Sequence, residues 1–415
     1  MSLFKKKNEK LEVELSEKNI WLRLALVVVF LLIGVSAIAY FISSLVSEDA
    51  GWQTIDLTDD NFPILRDDFV LTYNIGQSDV SVSKEKKSIS RVYTESMVKA
   101  YKIFDINEEY DGVINLYTLN RNPNKVFEVS DTLYDAFKLL ENSESRMLYL
   151  APICAEYRNV FISENDTIAA LSDPNVSDEA LEYVSEMLIY TNDPNMIDLE
   201  LLGDNRVCLK VSEEYLSYAE ENEIESFIEF SWLTNALIID YTADALVKEG
   251  FLNGSISSFD GYLRILDEKN SYNYNVYDLL ENSIYNVAVV SFKGVKSTVF
   301  FKSYPLNSKD NICYYSYSDG KFINRYIDYK TGLCKNSLKN VISYSYEAGC
   351  AETAIKLSQA FISENFDVNT VKGLTDQEIY SIWTDSKTVV YNDVNLEIIK
   401  LFTSDDVMFK SELFK

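Results

Sequence analysis

The 415-residue sequence contains no histidine. That removes imidazole metal ligands, Ser-His and Cys-His nucleophile systems and the commonest general base in one step. Its five cysteines, Cys154, Cys208, Cys313, Cys334 and Cys350, stand at irregular spacing without a C-x-x-C pair, so neither a disulfide framework nor a zinc site is written. Most read as small buried hydrophobes, with a Cys334–Cys350 bridge left open. No P-loop, G-x-G-x-x-G or G-x-S-x-G occurs, and no clustered metal ligands. The densest polar stretch is Asp319 to Cys334, DGKFINRYIDYKTGLC. Read by its residues alone it makes two turns, Asp319-Gly320 in a hairpin and Lys330-Thr331-Gly332 after a short strand.

A formal net charge of -27, from 65 acidic against 38 basic residues, argues against nucleic acid as a partner, because phosphate binding needs clustered Lys and Arg to release counterions. It favours solubility and weak repulsion from anionic headgroups. One stretch is of another kind. Leu24 to Val46 carries no charged residue and is flanked by Arg23 on one side and Glu48 and Asp49 on the other. At about 1.5 Å per residue it is long enough to cross roughly 30 Å of hydrocarbon, and signal-peptide apolar regions are shorter, about 7–15 residues. Lys5, Lys6, Lys7, Lys10 and Lys18 precede it, and the next basic residue is Arg66. The positive-inside rule then keeps the N-terminus cytoplasmic. The expected organisation is a basic cytoplasmic tail (1–19), a transmembrane signal anchor (20–46), a polar stalk (47–67) and an extracytoplasmic domain (68–415) held at the cell membrane.

Within that domain strands and helices mix without strict alternation, which predicts an α+β or mixed α/β fold. Asp68 to Ile75 alternates like a first strand, and Gln77 to Ser88 reads as a polar loop. Arg91 to Ile106 has the apolar spacing of an amphipathic helix. Val113 to Leu119 reads as a short strand or turn. Ser130 and Ser177 are helix caps, the second helix running to about Tyr190. Val207–Val211 and Ser226–Ser231 alternate as strands, and a helix over Thr234–Glu249 ends at Gly250, suited to a left-handed cap. Strand-rich sequence follows over Leu263–Leu266, Asn286–Phe292, Thr298–Lys302 and Ile312–Tyr317. A last strong helix spans Ala348 to Ser363.

This order of elements resembles the ApbE family of flavin transferases over roughly residues 65 to 400. Arg325-Tyr-Ile-Asp328-Tyr-Lys-Thr331-Gly332 matches the family's His-x-x-Asp-Pro-x-Thr-Gly, and Ala351-Glu352 matches the Ala-Asp that opens its next helix. Upstream, Glu229 to Asp240 (EFSWLTNALIID) occupies the place of Asp-Leu-Gly-Gly-x-Ala-Lys-Gly-x-x-x-Asp. Asn253 to Gly261, with Asp260, sits where a Gly-Gly-Asp strand end would follow. The resemblance implies an extracytoplasmic enzyme on an anchor that moves FMN from FAD onto a threonine of a partner flavoprotein. That chemistry splits a pyrophosphate, which calls for a divalent metal such as Mg²⁺ and close backbone amides.

By the same resemblance, Asp328 would be catalytic, Asn235, Asp240, Asp260, Thr331 and Gly332 would contact cofactor, and Glu352 would hold the metal. The sequence departs from the pattern at many of these points. Glycine is 13 of 415 residues, about 3% against an average near 7%. Ser231-Trp232 replaces Gly-Gly, Asn235-Ala236 replaces Lys-Gly, Arg325 replaces the histidine and Tyr329 the proline. Asp240, Asp328, Thr331 and Gly332 serve equally well as turn and capping residues. The family's metal-binding Asp and Thr, four apart, become Glu352 and Lys356, the favourable orientation for a helical ion pair. An ammonium there would stand in for the cation and repel Mg²⁺; the other reading is an ordinary solvated i, i+4 pair that faces no pocket. Three functions follow as expectations: a degenerate transferase serving as a binding or scaffolding subunit without cofactor, an active FAD:protein FMN transferase using FAD and Mg²⁺, or a surface domain of unrelated fold.

Overall fold

A computed structural model describes residues 50–141, 146–280, 283–403 and 408–414. The apolar stretch Leu24 to Val46 and the basic tail lie outside them, and among the described residues no helix is long and apolar enough to cross a membrane.

The described residues open on strand β1 (Gly51–Ile55), helix α1 (Pro63–Asp68), strand β2 (Phe69–Ile75) and the long helix α2 (Val82–Phe104). Residues 50–67, the described part of the segment 47–67 expected as a stalk, are therefore largely built into the fold. β1 pairs antiparallel with β2 from Gly51↔Ile75 to Ile55↔Leu71, and Ile55, Leu57 and Leu65 are buried. Half of the expected polar loop Gln77–Ser88 is the first turns of α2, because Glu85 is buried and its carboxylate accepts from the Gly76 amide (2.7 Å).

A helical lobe follows: α3 (Leu116–Arg121), β3 (Val126–Glu128), α4 (Asp131–Glu141), α5 (Ala151–Phe161), α6 (Asp166–Ser172), α7 (Asp178–Asn192), β4 (Ile197–Leu201), β5 (Arg206–Val211) and α8 (Glu213–Glu221). Ser130 and Ser177 cap α4 and α7 as their positions foretell, accepting from the amides of Leu133 (3.3 Å) and Ala180 (3.2 Å). Two expectations fail here. Residues 116–119 are helix rather than strand, since Asn115 and Thr118 form a reciprocal capping box. Ser226–Ser231 is irregular and runs into a 3₁₀ turn, Ser231–Leu233, held by the buried Asn120 side chain, which accepts from the Phe227 and Ile228 amides.

The second half comprises α9 (Thr234–Lys248), β6 (Gly254–Ser258), β7 (Tyr262–Ile265), β8 (Ser271–Leu280), β9 (Ser283–Lys293), β10 (Ser297–Lys302), β11 (Tyr314–Ser316), β12 (Phe322–Asn324), β13 (Asn340–Ser345), α10 (Cys350–Phe361), α11 (Val368–Leu374), β14 (Ile379–Asp385), β15 (Thr388–Tyr391), β16 (Glu397–Leu401) and β17 (Lys410–Leu413). α9 ends at Gly250 with φ +85°, the left-handed cap expected. Nine strands form one sheet in the order β1-β2-β6-β7-β10-β13-β14-β15-β17, and β16-β9-β8 form a second. Side chains alternate across the large sheet. Val299, Phe301 and Val341 face the helical core, while Phe300, Ile342 and Tyr344 face a second core against β8 and β9. The fold is α+β, as expected.

Candidate functional site

The residues singled out by sequence gather where α9, the β6–β7 turn, the β12 loop and α10 converge beneath the helical lobe. Asp240, on α9, accepts from the amides of Cys350 (2.9 Å) and Ala351 (2.8 Å) at the start of α10. It also pairs with Arg264 Nε at 3.1 Å. A carboxylate at a helix N-terminus satisfies orphan amides and meets the positive end of the dipole. Gly349 makes room for it, since a Cβ there would lie 2.5 Å from an Asp240 oxygen. Asp240 is thus a helix cap.

Asp260 sits in the turn between β6 and β7, buried, and accepts from Asn235 Nδ2 (3.1 Å), Arg325 Nη2 (2.7 Å) and the Ser258 hydroxyl. The Arg325 side chain is 12% exposed. Asp328, Thr331 and Gly332 share one turn: the Asp328 carboxylate accepts from the Lys330 amide (3.0 Å) and the Thr331 hydroxyl (2.9 Å) and pairs with Lys335 (3.0 Å). Gly332 takes φ +67° and presses on Val184 of α7. Both turns read from Asp319 to Gly332 are present, the first as the β11–β12 hairpin. Glu352 and Lys356 form an ion pair at 2.6 Å on the outer side of α10.

One pattern unites these groups. Every carboxylate in the set, Asp240, Asp260, Asp328 and Glu352, is bound by a cation of the chain itself: Arg264, Arg325, Lys335 and Lys356 respectively. Among the described residues, no group of three or more His, Cys, Asp or Glu could hold a metal ion. The donor set does not fit a divalent metal, which is held by at least one or two free carboxylates beside carbonyls and waters, whereas each carboxylate here is already paired.

Nor is there a glycine cradle. Ser231 holds φ +48°, so the chain keeps a left-handed turn at the position matched to glycine while carrying a side chain there. The next residue, Trp232, is buried, its ring 5.3 Å from Phe301 and 6.1 Å from Tyr326, its carbonyl accepting from the Tyr262 hydroxyl (2.8 Å). Trp232 and Ile327 form a wall between two cavities. One, of about 300 Å³, is lined by Tyr101, Phe104, Phe161, Arg325 and the Arg158–Glu229 pair (2.9 Å). The other, of about 460 Å³, holds Asp328, Lys330, Lys335 and Ser358. Both lie at the low end of small-molecule sites.

Cys154 and Cys313 also line the first cavity. Burial pushes both thiols up, the nearby carboxylates Glu229 and Asp260 adding to it, so neither is a ready thiolate. All five cysteines are free, Cys334 and Cys350 included. Sequence reasoning missed Arg264, Lys335 and the Arg158–Glu229 pair. Arg264 left a signal: a lone cation in the apolar strand Tyr262–Ile265 implies a buried partner.

The same architecture is found in solved structures. The chain is similar to the ApbE protein of Thermotoga maritima, with a TM-score of 0.55 and 14% identity over 81% of this chain and 94% of that one. It is similar to the flavin transferase ApbE of Vibrio cholerae, with a TM-score of 0.52 and 13% identity over the same shares of the two chains. The chain therefore has the fold of the ApbE flavin transferases, the fold its order of elements resembles. No protein-family model matches the sequence, and no curated protein does.

Proposed function

We propose that this chain is a flavin-transferase fold that no longer transfers flavin and acts as a binding or scaffolding subunit, anchored by residues 20–46 with its bulk outside the cell membrane. The observation that carries the reading is the internal pairing of all four carboxylates. A carboxylate that already shares a cation with its own chain gains little by taking Mg²⁺, and the displaced ammonium or guanidinium would then stand unpaired. Trp232 supports the same reading, because a bulky indole lines both cavities at the position matched to a glycine. On this reading the chain takes up neither FAD nor Mg²⁺, both of which an active transferase would need. A partner is expected among extracytoplasmic flavoproteins or membrane complexes, since a protein with this fold from Vibrio cholerae is described as a flavin transferase.

The test is to incubate the full-length chain in detergent with FAD, Mg²⁺ and a threonine-bearing acceptor peptide and to assay AMP release chromatographically. The expected result is no AMP above the protein-free rate. Steady release with flavin left on the peptide would establish the active transferase in its place.

A further inference from the structure

The carboxylates of the candidate site all meet cations of their own chain; on the helical lobe the reverse holds. Between Met147 and Asn205 the sequence carries twelve acidic residues and one basic residue, Arg158. Part of that charge is used internally. Asp166 accepts from the Tyr315 and Ser318 hydroxyls and Asp173 from the Tyr317 hydroxyl, while Asp178 and Glu179 stand in the first turn of α7, where the helix dipole favours them. Glu182 and Glu186 have no such role. Four positions apart on α7 they repel each other, and so do Glu179 and Glu182 at three.

These three carboxylates and Glu156 of α5 line a groove of about 430 Å³ with Leu171 of α6 and Tyr183 of α7. Among the described residues none of the four is paired with a Lys or Arg. Burial raises the Glu156 carboxyl with no cation beside it, and burial, Glu156 and Glu186 in turn raise the Tyr183 hydroxyl. The cations nearest along the chain or packed beside α7 are engaged elsewhere. Arg158 turns to Glu229 (2.9 Å), Arg146 donates to the carbonyls of Thr191 (2.9 Å) and Ile197 (2.6 Å), and Lys330 lies over the Tyr329 ring (5.5 Å). The groove is also bordered by apolar surface. Ile162, Ile168, Leu171, Val176 and Ile189 stand between 45% and 76% exposed on these helices and their links. Ile189 continues the face of Glu182 and Glu186 one turn on.

The chemistry of the face selects its occupant. A metal ion does not fit, since among the described residues no three acidic groups stand close enough to share one. A second copy of the chain, at net charge -27, is repelled, as are nucleic acid and anionic headgroups. Carboxylates spread over about two helical turns with apolar side chains beside them match a row of ammonium or guanidinium groups on a facing amphipathic helix. We infer that the groove between α5, α6 and α7 docks a basic amphipathic helix of a partner protein, its Lys or Arg side chains on Glu156, Glu179, Glu182 and Glu186 and its apolar side chains on Leu171 and Ile189. The inference rests on the proposed role as a binding subunit and names the surface that role uses.

The experiment titrates the full-length chain, held in phosphatidylcholine nanodiscs, into a fluorescein-labelled helical peptide with lysine on one face and leucine on the adjoining one, and reads anisotropy against empty discs. The expected result is saturable binding that weakens with salt. The Glu179→Gln, Glu182→Gln, Glu186→Gln variant, which relieves repulsion and so keeps its fold, should bind roughly tenfold more weakly, the sum of three exposed ion pairs. Leu171→Ser with Ile189→Ser should weaken binding several-fold. Glu268→Gln, Glu397→Gln and Glu412→Gln together remove the same charge from exposed positions elsewhere and should leave it unchanged. Equal losses in the two glutamine variants, or none in the first, would overturn the groove as the site. Binding that appears only after Lys5, Lys6, Lys7 and Lys10 are replaced by Gln would give the groove to the chain's own basic tail and overturn the partner. The proposed function fails separately, on AMP release in the assay above with the peptide still bound.

Discussion

Asp240 illustrates how a residue matched to a ligand site can be held for structure. Its carboxylate serves the amides of Cys350 and Ala351 and the guanidinium of Arg264, whose side chain is 4% exposed. Asp240→Ala should cost about 2 kcal/mol in urea unfolding, since it removes a cap and one of the two carboxylates that hold the buried Arg264, leaving only Asp244; Asp240→Asn, which still offers an acceptor, should cost about 1 kcal/mol. A neutral Asp240→Ala would contradict the capping role. Asp68 carries a pH signature. Burial and then the negative charge of Asp260 raise its pKa from 3.8 to about 6. A carboxyl raised in the folded state contributes stability that is present below its unfolded pKa and lost as pH rises through about 6. Asp68→Asn should flatten stability between pH 4 and 6 and gain about 1 kcal/mol at pH 7, a figure reduced for solvent screening. Parallel pH profiles for the two proteins would rule this out.

The elements divide by how local their cause is. Helices α4, α7 and α9 were legible because a capping serine or terminal glycine and an apolar face all lie within one stretch of sequence. β1 was not legible, because GWQTI is short, edge-placed and half exposed, and its partner strand rather than its own pattern holds it. Residues 226–231 alternate like a strand yet are shaped by Asn120, 107 residues away from Phe227, whose amide it satisfies. The 3₁₀ turn that follows carries Ser231 at φ +48°, a conformation costing an L-residue roughly 1–2 kcal/mol. Ser231→Gly should therefore raise stability by about 1 kcal/mol, read as a higher unfolding midpoint. A fall would mean that the contact of Ser231 with Cys154 (3.5 Å) outweighs the strain.

At the scale of the whole molecule, the order of elements carried the fold, while the state of the site was only partly legible. The Glu352–Lys356 pair could be read from i, i+4 spacing. Arg325 meeting Asp260 spans 65 positions, and nothing local announces it. Trp232 was visible as a departure from glycine, but its place as a wall between two cavities needed Phe301, Tyr326 and Ile327 brought together by the sheet. Asp240, Asp260, Asp328 and Glu352 are each paired with a cation of the chain, and on the proposed reading that pairing leaves no site for a divalent metal. The direct measurement is titration of Mn²⁺ with the full-length chain, followed by electron paramagnetic resonance of the free ion. The account predicts a free-ion signal unchanged by the protein. Loss of signal at stoichiometric protein, restored by Glu352→Gln, would contradict it.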